Sequence, residues 1–180
     1  SANELNTYIP LTADAETNHG LNVSLSVMDE IHTWKHKQGL AMYEAVITSG
    51  ATRESQLNII ITTAATTGDS LCNDKFQLAK NVCTGRTDDS TFLPVLYYLE
   101  KDEDWQDPKM WAKCNPQLGI SIPESYYVKK VKKALTDPTF TNSFKRLYMN
   151  IQTQSETKFL DFLKWEASEM DKDTDLTGQD

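Results

Sequence analysis

Two strand-length apolar runs, each breaking into a polar loop and separated by a helical stripe, restrict this chain to a layered α/β arrangement. The first run opens residues 23–34, VSLSVMDEIHTW, where Val23, Leu25 and Val27 alternate with serines. That period of two in β-branched and aliphatic residues predicts a strand over 23–28. The second run, residues 57–61, LNIII, is nearly continuous and predicts a parallel strand buried on both faces. Between them, residues 36–49 read as a helix with Leu40, Tyr43, Val46 and Ile47 on one stripe and Gly50 as a stop. Asp29 and Glu30 stand where the first strand should end. In an open α/β sheet, ligands bind outside the carboxyl ends of the strands. An Asp then a Glu at that edge is a Walker B arrangement, in which the Asp holds Mg²⁺ and the Glu orients or deprotonates the attacking water. A solvated acidic strand end is the competing reading, and this stretch alone leaves both open.

The rest of the chain extends the pattern. Residues 8–12, YIPLT, form a short strand candidate at an edge. After 57–61 come the small and hydroxyl residues Thr62 to Thr67 and then Gly68. Asp69 or Ser70 then caps a helix running to about Thr84, with Leu71, Phe76, Leu78, Ala79 and Val82 on its apolar side. Residues 92–99, FLPVLYYL, read as a further strand. Strands and helices thus alternate to about residue 100, which argues for a three-layer α/β sheet with largely parallel strands. Beyond it, 108–115, 123–136 and 140–151 read as short helices, punctuated by Pro108, Pro123 and Pro138 in their first turns. Residues 158–170 suggest a fourth, and the polar 171–180 a frayed end.

Bulk properties narrow the function. A formal net charge of -8 argues against a protein that coats nucleic acid, although it leaves room for a local basic patch. No apolar run approaches the roughly 20 residues a bilayer span needs, and no signal segment opens the chain. Cys72, Cys83 and Cys114 show no CxxC spacing, which fits a reducing cytoplasm and offers no zinc site. Ser24 and Ser26 lack a G-x-S-x-G elbow, so an α/β-hydrolase is not expected.

Read together, several segments carry a family resemblance. They are VMDEIHTW, the helix after it, Gly50-Ala51-Thr52-Arg53, and IIITTA. The stretch DDSTFLPVLYYLEKDEDWQDPKMWAKCNPQLGISI and the segment from Phe144 to Asn150 continue the series. In order and spacing over roughly residues 8 to 151 they resemble the large terminase subunit of tailed bacteriophages, the DNA-packaging motor. The resemblance implies a partial P-loop NTPase-like three-layer sheet followed by a small helical region. Residues 1–104 would be the second half of an ATPase domain, 105–151 a helical subdomain, and 152–180 a connector toward a nuclease domain. By matching motif, Asp29 would be the Mg²⁺ carboxylate and Glu30 the catalytic one. Thr62, Thr63 and Ala64 would form the coupling motif that links nucleotide state to domain movement. ATP and Mg²⁺ are the implied cofactors. Double-stranded DNA, the small terminase subunit and the portal protein are the implied partners, in the cytoplasm of the bacterial host. Two positions depart from the family pattern, Ala65 where a Gly usually follows TTA and Ile151 where Trp is common.

No G-x-x-x-x-G-K-S/T loop occurs in the 180 residues. In the family that Walker A motif lies upstream of the Walker B strand, and the nuclease carboxylates lie downstream of a segment like 155–165. The chain is therefore expected to be the middle of a terminase, whose missing N-terminal half is supplied in cis or in trans. The alternative is a non-catalytic prophage remnant or interaction domain. His32 is read either as touching the active site or as a capping group, and the role of Arg53 stays open. Lys129, Lys130, Lys132 and Lys133 form a basic patch, read as a solvated face or as a phosphate contact. The acidic residues from Glu100 to Asp107 are expected to be a solvated linker, and Trp34, Trp105, Trp111 and Trp165 packing anchors.

Overall fold

The computed structural model describes residues 7–11 and 21–154. The expected helix at 158–170, Trp165 and the end at 171–180 lie outside the described residues. The elements are β1 (Leu25–Asp29), a 3-10 turn (Ile31–Thr33), α1 (His36–Ser49), β2 (Leu57–Ile61), α2 (Leu71–Cys83), α3 (Pro108–Cys114), α4 (Glu124–Thr136) and α5 (Pro138–Tyr148). The fold is mixed α/β. β1 and β2 pair in parallel, with Leu25 opposite Leu57, Val27 opposite Ile59 and Asp29 opposite Ile61. Parallel strands need a crossover, and α1 supplies it.

Local chemistry sets the element ends. The Ser70 hydroxyl accepts from the Asn73 N–H at 3.2 Å and caps α2. Asp107 caps α3, and Asp137 caps α5 by accepting from the N–H groups of Thr139 and Phe140, each cap followed by a proline that needs no partner. At the other end of α1, the Gln56 side chain donates to the Val46 carbonyl at 3.1 Å.

Two cores result. One joins Met28, Ile31, Met42, Val46, Leu71 and Cys72 between the strand pair, α1 and α2. The other is built on Leu99, Trp111, Tyr127, Val131, Phe144 and Met149 within the helical region. Phe144 and Tyr148 stack with centroids 5.1 Å apart, and the Trp111 indole N–H donates to the Trp105 carbonyl at 3.0 Å. Trp105 and Trp111 are the packing anchors expected.

Several expectations are corrected. The inward face of β1 is Ser26 and Met28, while Leu25 and Val27 point outward and are 54% and 56% exposed. β2 follows suit: Leu57, Ile59 and Ile61 are exposed, so it is not covered on both faces. The inward polar groups satisfy each other, the Ser26 hydroxyl donating to Asn58 Oδ1 at 2.6 Å. The α1 stripe is rotated to Gly39, Met42, Ala45 and Val46, leaving Leu40 exposed. Residues 8–11 carry no strand. Residues 92–99 alternate in exposure as a strand would, yet join no ladder. Pro94 removes a donor, and the polar groups at the far end go elsewhere: Tyr97 O accepts from Asn150 Nδ2 and Leu99 N–H donates to Met149 O. The acidic stretch is also not merely solvated, since Glu100 pairs with Lys80 at 2.8 Å and Glu103 with Lys113.

Candidate nucleotide-hydrolysis site

Asp29 closes β1, and the ladder continues one residue further through Glu30 N–H to the Ile61 carbonyl at 2.8 Å. The two carboxylates therefore stand at the carboxyl end of the strand pair, next to the point where β2 releases Thr62. Glu30 leaves the strand in the left-handed region, at φ 51°. A non-glycine residue seldom adopts that conformation, and such strain gathers where the surroundings over-determine a backbone. Here the restraint is visible. Asp29 Oδ1 accepts from the Glu30 N–H at 2.9 Å, and the Glu30 carbonyl accepts from both the N–H and the hydroxyl of Thr33. The turn holds both side chains exposed.

His32 links this turn to the next loop. Its N–H donates to the Thr62 hydroxyl at 3.1 Å, and its Nδ1 lies 3.2 Å from that hydroxyl and 3.3 Å from the hydroxyl of Thr63. Thr62 also donates to the Thr63 carbonyl. Asp29, Glu30, Thr62 and Thr63 thus gather at one sheet edge, with His32 as the bridge. Ala64 turns away from them, and its N–H donates to Asn150 Oδ1 at 3.3 Å. Arg53 is at the opposite end of the strand pair, where its guanidinium donates to the carbonyl and side chain of Asn22. It holds the entry to β1.

Asn150 was the residue whose role the sequence did not disclose. Its backbone is left-handed, φ 51°, and its side chain spans Ala64 N–H and Tyr97 O. Beyond it the Thr67 N–H donates to the Thr153 carbonyl at 2.7 Å, and Gln152 donates to Asn73 Oδ1. Residues 149–153 therefore sew the 62–67 loop to the helical region. The available signal was an Asn just past a helix, the non-glycine type that best tolerates this conformation.

Burial, with the Arg146 guanidinium nearby, pushes the His32 pKa below its ordinary 6.5, outweighing Glu30 and Asp29. A depressed histidine pKa means the unfolded chain binds more protons, so stability is full above pH 6.5 and falls as pH drops below it. Thermal melts between pH 7.5 and 5.5 should therefore show a steeper loss for the natural chain than for His32→Gln, which has no proton to take up. Equal pH slopes would remove His32 as the titrating link.

Comparison with known proteins comes out one way. A sequence model described as "Terminase large subunit, ATPase domain" matches residues 4–81, and one described as "Terminase large subunit, endonuclease domain" matches residues 86–180. The terminase large subunit of Enterobacteria phage HK97 is 27% identical over 159 residues, covering 88% of this chain and 30% of the relative. That of Lactococcus phage p2 is 30% identical, covering 87% of this chain and 29% of the relative. The crystal structure of the HK97 bacteriophage large terminase superposes with a TM-score of 0.64 at 27% identity, covering 82% of this chain and 30% of that one. The chain belongs to the terminase large subunit family. It spans about a third of the length of these relatives, across parts of the ATPase and endonuclease domains. The two matches meet between residues 81 and 86.

Proposed function

We propose that this chain is the Walker B portion of a DNA-packaging ATPase, working in a larger P-loop-type three-layer sheet of which β1 and β2 are two neighbouring strands. The observation that carries the reading is the convergence of Asp29 and Glu30 with Thr62 and Thr63 at one sheet edge, joined through His32. Asp29 is the metal-side carboxylate and Glu30 the group that positions and deprotonates the attacking water. The 62–64 loop reports the state of that edge to the helical region through Asn150.

The donors suit Mg²⁺, a hard ion that takes one or two carboxylates and fills its remaining positions with water and phosphate oxygens. Among the described residues no group of three or more His, Cys, Asp or Glu converges. When bound, the ion would neutralise charge developing on the transferred phosphoryl group. Double-stranded DNA, the small terminase subunit and the portal protein are the partners this reading implies, in the bacterial host cytoplasm. No helix among the described residues is long and apolar enough to cross a membrane.

The 180 residues contain no Walker A loop, and positioning of the phosphates depends on its lysine and amide cradle. The purified chain is expected to release phosphate from ATP no faster than buffer. Mixed with a separately expressed N-terminal terminase piece carrying Walker A, it should show Mg²⁺-dependent release. A folded chain that gains no activity from that partner would favour the remnant reading.

A further inference from the structure

Helix α4 carries a density of positive charge that the rest of the molecule does not share. Lys129, Lys130, Lys132 and Lys133 fall within five consecutive residues, while the chain as a whole is at -8. Tyr127, Val131 and Ala134 turn the opposite side of α4 into the core. The lysines therefore face out, with Lys129, Lys132 and Lys133 exposed. None of the four makes a salt bridge with a carboxylate among the described residues. The nearest acidic residue along the chain, Asp137, caps α5 and feels the charge of Lys133 without forming a salt bridge with it.

Two of the four lysines are held against aromatic rings. The Lys130 ammonium sits over the rings of Tyr126, Tyr148 and Phe140 at 5.1, 5.6 and 5.7 Å from their centroids, and that of Lys133 lies 4.4 Å from Phe140. Aromatic faces hold an ammonium in place without neutralising it, so the side chains lose less freedom when an anion arrives. Duplex DNA carries a dense array of phosphate charges, and a cluster of exposed ammonium groups is the chemistry that binds it independently of sequence.

We infer that the outer face of α4 is a docking surface for the phosphate backbone of duplex DNA, read by charge and not by base sequence. The inference rests on the packaging-ATPase reading for its choice of polyanion. A DNA partner needs such a surface away from the carboxylate edge, where Asp29 and Glu30 would repel phosphates.

The test is fluorescence anisotropy of a labelled 30-base-pair duplex with the purified chain, without nucleotide or divalent metal, so that failure of the ATPase reading cannot register in it. With about four phosphates neutralised, affinity should fall on the order of 100-fold between 50 and 200 mM salt. The triple variant Lys129→Gln, Lys132→Gln, Lys133→Gln should lose most of that binding and flatten the salt dependence. The corresponding triple Arg variant should keep both. Circular dichroism confirms that all three proteins fold, as exposed positions predict. Unchanged affinity and salt slope in the Gln variant would overturn the inference. So would equal competition by a poly-glutamate of the same total charge, which would assign the patch to an acidic protein surface.

Discussion

Asp29→Ala, in this chain complemented by a Walker A partner, is expected to lower Mg²⁺-dependent ATP hydrolysis by about 10³-fold or more. A positioned charge that acts on the transition state contributes roughly 3–4 kcal/mol when removed singly, and Asp29 has two tasks. On the proposed reading it would present the metal-side carboxylate, and its Oδ1 accepts the N–H of Glu30, holding that residue in its left-handed turn. Asp29→Asn separates them, because an amide oxygen keeps the backbone bond while the charge is lost. Its rate should fall almost as far as that of Asp29→Ala, with the turn intact. Glu30→Gln should cost about 10²–10⁴-fold, the range of a general base, and leave ATP affinity unchanged. Phosphate release with and without Mg²⁺ measures all three. If Asp29→Ala stays within a factor of three of the natural rate, the metal assignment is wrong.

The second large effect concerns stability. Phe144→Ala is expected to destabilise the helical region by about 3–5 kcal/mol. Phe144 is 0% exposed and touches Trp105, Tyr127, Phe140 and Tyr148. Removing the ring leaves a cavity walled by large rigid aromatics, which collapse poorly into it. Denaturant unfolding followed by tryptophan fluorescence, with Trp105 and Trp111 in the same core, reads the change directly. Phe144→Leu should recover more than half of the loss. A shift of under 1 kcal/mol for Phe144→Ala would mean that this core is not a cooperative unit.

Short-range chemistry was legible in the sequence. Ser70, Asp107 and Asp137 announce helix starts because a cap needs only a side-chain oxygen two or three residues from free N–H groups. The carboxylate edge was legible for a similar reason: a strand's direction fixes which end Asp29 occupies. Which face of a strand turns inward was not. Alternation at Leu25 and Val27 defines a face but does not say what will cover it, and here Ser26 and Met28 meet the helices instead. The strand expected at 92–99 has the right side chains, but its backbone groups are claimed by residues some fifty positions away. Asn150 was invisible as a linchpin for the same reason, since Ala64 and Tyr97 are neighbours only after folding.

The outward row of Leu25, Val27, Leu57, Ile59 and Ile61 has a consequence for how this polypeptide behaves in a tube. Such a contiguous greasy strip is a sticky patch, and two copies meeting there would hide it. Long-range repulsion between bodies that each carry eight surplus negative charges opposes that contact. That repulsion reaches about 30 Å at 10 mM ionic strength but only about 8 Å at 150 mM. Added salt therefore weakens the barrier while leaving the adhesive untouched, and the chain is expected to stay dispersed longest in dilute buffer.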